Sequence, residues 1–222
     1  MNDRFDIVEG DVSIRNGHIA AIGSSPAGDH HHTIDARGGF ILPGLIQTHI
    51  HLCQTLFRGY ADDRPLMDWL RQRVWPMEAA HTPSTLRAAA RLATTELLTT
   101  GTTAALTMET VHDTDAVLES VEESGLRAVV GKCMMDSSLE APQRLQEPTR
   151  ASIDESLSLR KRWHGAANGR IHTAFAPRFA VSCSRELLEA VASLSHDQHA
   201  LVHTHASESR EEIAIVRQLS GG

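Results

Sequence analysis

Little in this chain suits a disulfide scaffold, a membrane span or a nucleic-acid surface. Cysteine is scarce: Cys53, Cys133 and Cys183 are odd in number and widely spaced. That excludes a disulfide framework or a zinc knuckle and fits free thiols in a reducing, cytoplasmic compartment. Lysine is scarcer still, with only Lys132 and Lys161, and the net charge is −7. A basic footprint for nucleic acid is therefore excluded. No apolar run reaches the ~18 residues of a membrane helix, and the first residues lack a signal-peptide pattern. The phosphate fingerprint Gly-x-Gly-x-x-Gly is also absent.

What is present is ordinary for a globular protein: 222 residues, 41% hydrophobic and 22% charged. That length buries a sizeable core, as one domain or one with a small appendage. Residues 1–40 read as short strands and turns. Asp11–Gly17 followed by His18–Gly23 is a strand, an Asn-Gly turn and a second strand. The adjacent His30, His31 and His32 read as an exposed polar edge, because consecutive strand residues face opposite sides.

From residue 41 to 222 strand and helix alternate. Apolar strand-like runs occur at Phe40–Thr48, Thr102–Met108, Arg127–Met134, Ile171–Ala176 and Ala200–His205. Helical stretches lie near Pro83–Thr99, Asp115–Glu123, Ser152–Trp163, Ser184–Ser195 and Glu208–Leu219, several with caps such as Thr82 or Ser182 and Ser184. The pattern predicts an α/β fold with a parallel sheet and helices outside it. Five units are too few to close an eight-stranded barrel.

The first apolar run ends in His49-Ile50-His51. Residues i and i+2 of a strand share a face, so two imidazoles aim at one point. Such convergence at a strand end points to a metal ion. The fifth run ends in His203-Thr204-His205, with Glu208 three residues beyond. Parallel strands bring their C-terminal ends to one face, where barrels build active sites. A third imidazole makes a Zn²⁺ or Fe²⁺ site, and Glu208 is placed to carry a proton to or from an activated water.

Pro43-Gly44-Leu45-Ile46-Gln47-Thr48-His49-Ile50-His51 and His205-Ala206-Ser207-Glu208 resemble the first- and fifth-strand motifs of the amidohydrolase superfamily. The resemblance is to its cytosolic deaminase and chlorohydrolase branch and covers nearly the whole chain. It implies a partial (β/α)8 barrel preceded by a small β-segment. By it, His49, His51 and His205 are ligands of one zinc ion, with iron the alternative, and Glu208 is the catalytic proton shuttle. His203 is not a ligand in that pattern. Gln54 occupies the place of a base-binding Gln in guanine deaminases. Pro177-Arg178-Phe179 resembles their segment whose Arg contacts the base. Trp75-Pro76-Met77-Glu78 resembles a nucleoside deaminase segment whose Glu binds ribose, so Glu78 is expected farther out than Gln54 and Arg178. Arg178 follows the fourth strand where two-metal members carry a bridging ligand, and a guanidinium cannot bridge cations, hence one metal. Lys132 is read as structural.

The resemblance implies deamination of an aminopurine nucleoside: 5′-deoxyadenosine, methylthioadenosine or S-adenosylhomocysteine. Guanine or pterin deamination, or triazine hydrolysis, is the alternative. The family also supplies a His from a sixth strand and an Asp from an eighth, and the chain contains neither strand. It therefore reads as the N-terminal half of such an enzyme. A catalytically inert fragment is the competing reading. Expected partners are a small-molecule substrate and, for a full-length parent, further copies in a homo-oligomer, without nucleic acid or membrane.

Overall fold

The computed structural model describes residues 4, 6–23, 32–36, 38–137 and 140–221. The chain divides into two compact units, Met1–Gly44 and Leu45–Gly222. In the first, β1 (Asp11–Arg15) and β2 (His18–Gly23) form the expected antiparallel hairpin. Asn16 and Gly17 turn it with φ of 52° and 75°, the left-handed pair that matches strand twist. His30 and His31 lie outside the described residues, and His32 is exposed.

The second unit is the expected α/β sheet. β3 (Leu45–Ile50), β4 (Thr102–Met108), β5 (Arg127–Met134) and β6 (Ile171–Pro177) run parallel in sequence order. After β3 come a 3₁₀ turn, Leu52–Phe57, then α1 (Leu66–Trp69), a π turn at Leu70–Val74 and α2 (Trp75–Ala79). The remaining helices are α3 (Pro83–Thr99), α4 (Thr114–Ser124), α5 (Thr149–Trp163), the short α6 (Ala166–Gly169), α7 (Arg185–Gln198) and α8 (Arg210–Ser220).

Local chemistry sets these limits. Thr82 and Thr85 exchange the reciprocal bonds of a capping box, with Pro83 at the first helical position of α3. Ser184, rather than Ser182, caps α7 by accepting from Leu187 N at 3.1 Å. Ser209 caps α8, which therefore starts two residues later than the expected Glu208. Pairing of the first strand starts only at Leu45, whose N–H donates to Gly101 O at 2.8 Å. Pro43 has no N–H to offer a ladder, which explains the later start than Phe40.

The fifth expected strand differs more. Ala200–His205 is reduced to one parallel bridge, Phe175 with Val202. Phe175 N donates to Leu201 O at 3.0 Å and His203 N to Phe175 O at 2.9 Å. The next donor in that ladder would be the N–H of residue 177, a proline, so the ladder stops. His205 N bonds Arg178 O instead, at 2.9 Å.

The described buried side chains form three clusters, one of which joins Met134 and Phe175 to Leu187 and Val191 of α7. Ala128 and Val130 of β5 pack with Leu86, Val117 and Leu159 under the helices. Cys133, Met108 and Ala176 pack with Trp75 and Phe179 beneath the strand ends. All three thiols are free and buried. Among the described residues no helix is long and apolar enough to cross a membrane.

Candidate active site

Residues at the C-terminal ends of β3 and β6, with His205 and Glu208, line a cavity of about 190 Å³. Its walls are Leu66, Trp69, Leu70 and Phe179, and its polar lining is His49, His51, His205, Arg178 and Glu208. That volume is below the roughly 300–1,000 Å³ usual for ligand pockets.

His49 and His51 share a face at the end of β3, with ring centroids 5.0 Å apart. The His205 ring lies 4.8 Å from His49 and 5.2 Å from His51. One potential ligand atom from each lies within 4.8 Å of the others. His51 Nδ1 meets Met108 O at 2.7 Å, and His205 Nδ1 meets Arg178 O at 2.8 Å. A carbonyl only accepts, so both imidazoles carry their proton on Nδ1. Their Nε2 lone pairs then face each other at 3.2 Å. Two facing lone pairs repel unless a cation or proton lies between them. Two imidazoles bound at ~2.0–2.1 Å in a tetrahedral site have nitrogens about 3.3 Å apart. The donor set thus fits a divalent metal ion.

Electrostatics agree. Burial holds the pKa of His49 and His205 below the usual value, and that of His51 well below. The Arg178 guanidinium pushes His51 further down, and His205 pushes down His49. Neutral imidazole is the ligating form.

Glu208 follows a turn in which Ser207 has φ of 59°. The buried Glu212 carboxylate holds that turn, accepting from Ser207 N at 3.2 Å and Glu208 N at 2.6 Å. Burial, then repulsion from Glu212, raises the Glu208 carboxyl. Sequence reasoning did not single out Glu212. Its signal is Ser209-x-x-Glu212, the capping pattern opening α8.

Glu109 was also missed. Its carboxylate is fully buried at the end of β4. It accepts from Leu52 N at 3.2 Å, from Cys53 N at 2.9 Å and from the Thr107 hydroxyl. It therefore anchors the segment that carries His51. Nothing local in the sequence marks this contact, whose partners lie more than fifty residues away.

Of the expected substrate residues, only Arg178 lines the cavity. Glu78 is 2% exposed, and its carboxylate accepts from Arg178 Nη1 at 2.6 Å and Nη2 at 3.3 Å. Gln54 Nε2 donates to the same carboxylate at 2.7 Å. Glu78 thus holds Arg178, and Gln54 holds Glu78. Burial lowers the Arg178 pKa, but the Glu78 carboxylate more than offsets this and the net shift is upward.

A second cluster, His112, Glu147 and Glu155, has metal-like spacing. The Lys132 ammonium already sits against Glu147 and 3.7 Å from Glu155. The positive charge there is supplied by the chain itself, and Lys132 has the structural place expected of it.

The amidohydrolase family profile matches residues 40–222, and the chain belongs to that family. It is 37% identical over 197 residues to a 5-methylthioadenosine/S-adenosylhomocysteine deaminase of Natronomonas pharaonis, covering 89% of this chain and 44% of that one. E. coli guanine deaminase superposes with a TM-score of 0.73 at 34% identity, covering 81% of this chain and 41% of that one. An adenosine deaminase from Xanthomonas campestris with bound zinc gives 0.75 at 30% identity, covering 95% and 47%. The chain thus spans about half the length of the relatives it matches.

Proposed function

We propose that this chain carries the metal centre and proton shuttle of a hydrolase that deaminates an aminopurine nucleoside of the 5′-deoxyadenosine, methylthioadenosine or S-adenosylhomocysteine class. The observation that carries it is the convergence of three neutral imidazoles and Glu208 on one cavity. The named deaminase relative supports the substrate class.

His49, His51 and His205 would hold one divalent ion through Nε2, their Nδ1 protons being committed elsewhere. A divalent ion there supplies Lewis acidity that eases deprotonation of water. Zinc is the first choice, supported by the three-nitrogen donor set and a relative with bound zinc, with iron the alternative. Glu208, its pKa raised, takes a proton from the attacking water and delivers it to the ring nitrogen. Oxygen adds to the amino-bearing carbon, the proton left on that oxygen passes to the amino group, and the carbon–nitrogen bond breaks as the carbonyl forms, so that ammonia leaves. Arg178 faces the heterocycle against the apolar wall of Trp69 and Phe179.

One observation favours a second reading, a free base such as guanine. Glu78, the residue for a ribose, is instead buried against Arg178 and Gln54. A cytoplasmic location is supported by three free buried thiols. Association of the whole protein with further copies also belongs to this reading. The boundary between a small β-domain and the barrel falls, in this reading, after residue 40.

Metal analysis joined to an ammonia-release screen over nucleosides, free purines and triazines tests the proposal. Release that depends on Glu208 and is fastest with nucleosides supports it. Preference for guanine selects the second reading, and no release with any substrate selects an inert fragment.

A further inference from the structure

We infer that His203 is a positioning residue of the metal centre, its Nε2 accepting the His49 Nδ1 proton and so directing His49 Nε2 toward the ion. The inference rests on the metal-site reading above. His203 is buried, 7% exposed, two residues before His205. Its Nε2 lies 2.7 Å from His49 Nδ1, with ring centroids 4.8 Å apart.

The three imidazoles are not held alike. His51 and His205 donate Nδ1 to main-chain carbonyls, of Met108 and Arg178. Those acceptors are present whatever side chains stand there. His49 is the exception, because its Nδ1 partner is a side chain. It is also the exposed member of the three, so burial constrains its ring least. Without an acceptor at Nδ1, the His49 ring is free to rotate or to carry its proton on Nε2, and either removes a ligand. The acceptor beside a ligating imidazole fixes its tautomer and orientation, and its loss typically weakens metal binding about 10–100-fold.

His203 bears a cost that packing alone does not explain. If Nε2 accepts, Nδ1 must carry the remaining proton. Nδ1 is buried without a partner in hydrogen-bond geometry among the described residues, although the Thr107 backbone lies close enough to favour a proton there. An apolar residue of similar size would fill the space without that loose end. What it could not do is accept from His49.

The test is zinc titration of the metal-free chain against a chromophoric chelator, with thermal melts to establish folding. His51→Ala is the reference for loss of a ligand and is expected to lose at least about 100-fold. His203→Leu is expected to bind zinc about 10–100-fold more weakly than the parent. His203→Gln, whose amide oxygen can accept from Nδ1, is expected to return to within about threefold of it. Long-range ¹H–¹⁵N NMR of the zinc-loaded parent is expected to show His49 protonated at Nδ1. A folded His203→Leu that binds like the parent while His51→Ala fails would overturn the inference alone. So would a Gln variant as weak as His51→Ala, or His49 protonated at Nε2. Equal zinc binding by the parent and His51→Ala would overturn the metal-site reading, and this inference with it.

Discussion

Arg178 Nη1 and Glu78 Oε2 lie 2.6 Å apart, with side chains only 4% and 1% exposed. Removing one partner of such a pair strands a buried charge, which costs about 3–5 kcal/mol. Glu78→Ala is therefore expected to lower the urea midpoint and, if the whole protein deaminates as proposed, to depress its kcat/KM for nucleosides and free bases by a similar factor. A ribose-binding Glu78 would give a loss confined to nucleosides, and that selective loss would contradict the arrangement.

Glu109 makes stability depend on pH. Burial raises its carboxyl from the ordinary 4.5 to about 7, against the opposing pull of the bonds it accepts from Thr107, Cys53 and Leu52. The folded state then binds more protons than the unfolded one between those values. The contribution is fully present below about 4.5 and is lost as pH rises through 7, at most about 3 kcal/mol. Glu109→Gln lacks this titration but opposes an amide to one of the two N–H groups. The variant is expected to be less stable than the parent at pH 5, with the gap narrowing by pH 8. Urea melts at the two pH values check it; histidine titrations common to both proteins cancel in the difference. A gap that does not change with pH would refute this.

Gly131 of β5 has no room for a side chain. A Cβ built there would sit 2.6 Å from Ala176 Cβ, and neither atom can rotate away. Alanine in a strand is ordinarily better than glycine by roughly 0.5–1 kcal/mol. Here overpacking, at about 1–3 kcal/mol, is expected to win, so Gly131→Ala destabilises. Adding Ala176→Gly should recover most of the loss, and a double-mutant cycle measures the coupling. Additive losses would mean the strands do not meet as described.

How far the sequence could be read follows from how local each contact is. The two His-x-His pairs were legible because period-two geometry and strand-end position are local properties. The Asn-Gly hairpin and the Thr82 cap were legible for the same reason. The shortened fifth strand was not, because the missing donor is Pro177 on the neighbouring strand. The contact of Glu78 with Arg178 was not legible either, because the two lie a hundred residues apart. Glu109 holds the His51 segment through contacts of similar reach. Such pairings are properties of the packed barrel end rather than of any window of sequence.

Glu208→Gln separates chemistry from metal binding. The amide cannot exchange a proton, so kcat in the whole protein is expected to fall by about 10²–10⁴ while metal content stays unchanged. Ammonia release and metal analysis on the same preparation check both halves. Unaltered turnover would remove Glu208 from the mechanism.

The central claim is that His49, His51 and His205 form one metal site. X-ray absorption at the zinc edge, on the chain loaded with one equivalent of zinc, tests it most directly. The expected result is three imidazole nitrogens at ~2.0–2.1 Å and no sulfur neighbour. Fewer than three imidazoles, or a sulfur shell near ~2.3 Å from one of the buried thiols, would contradict it.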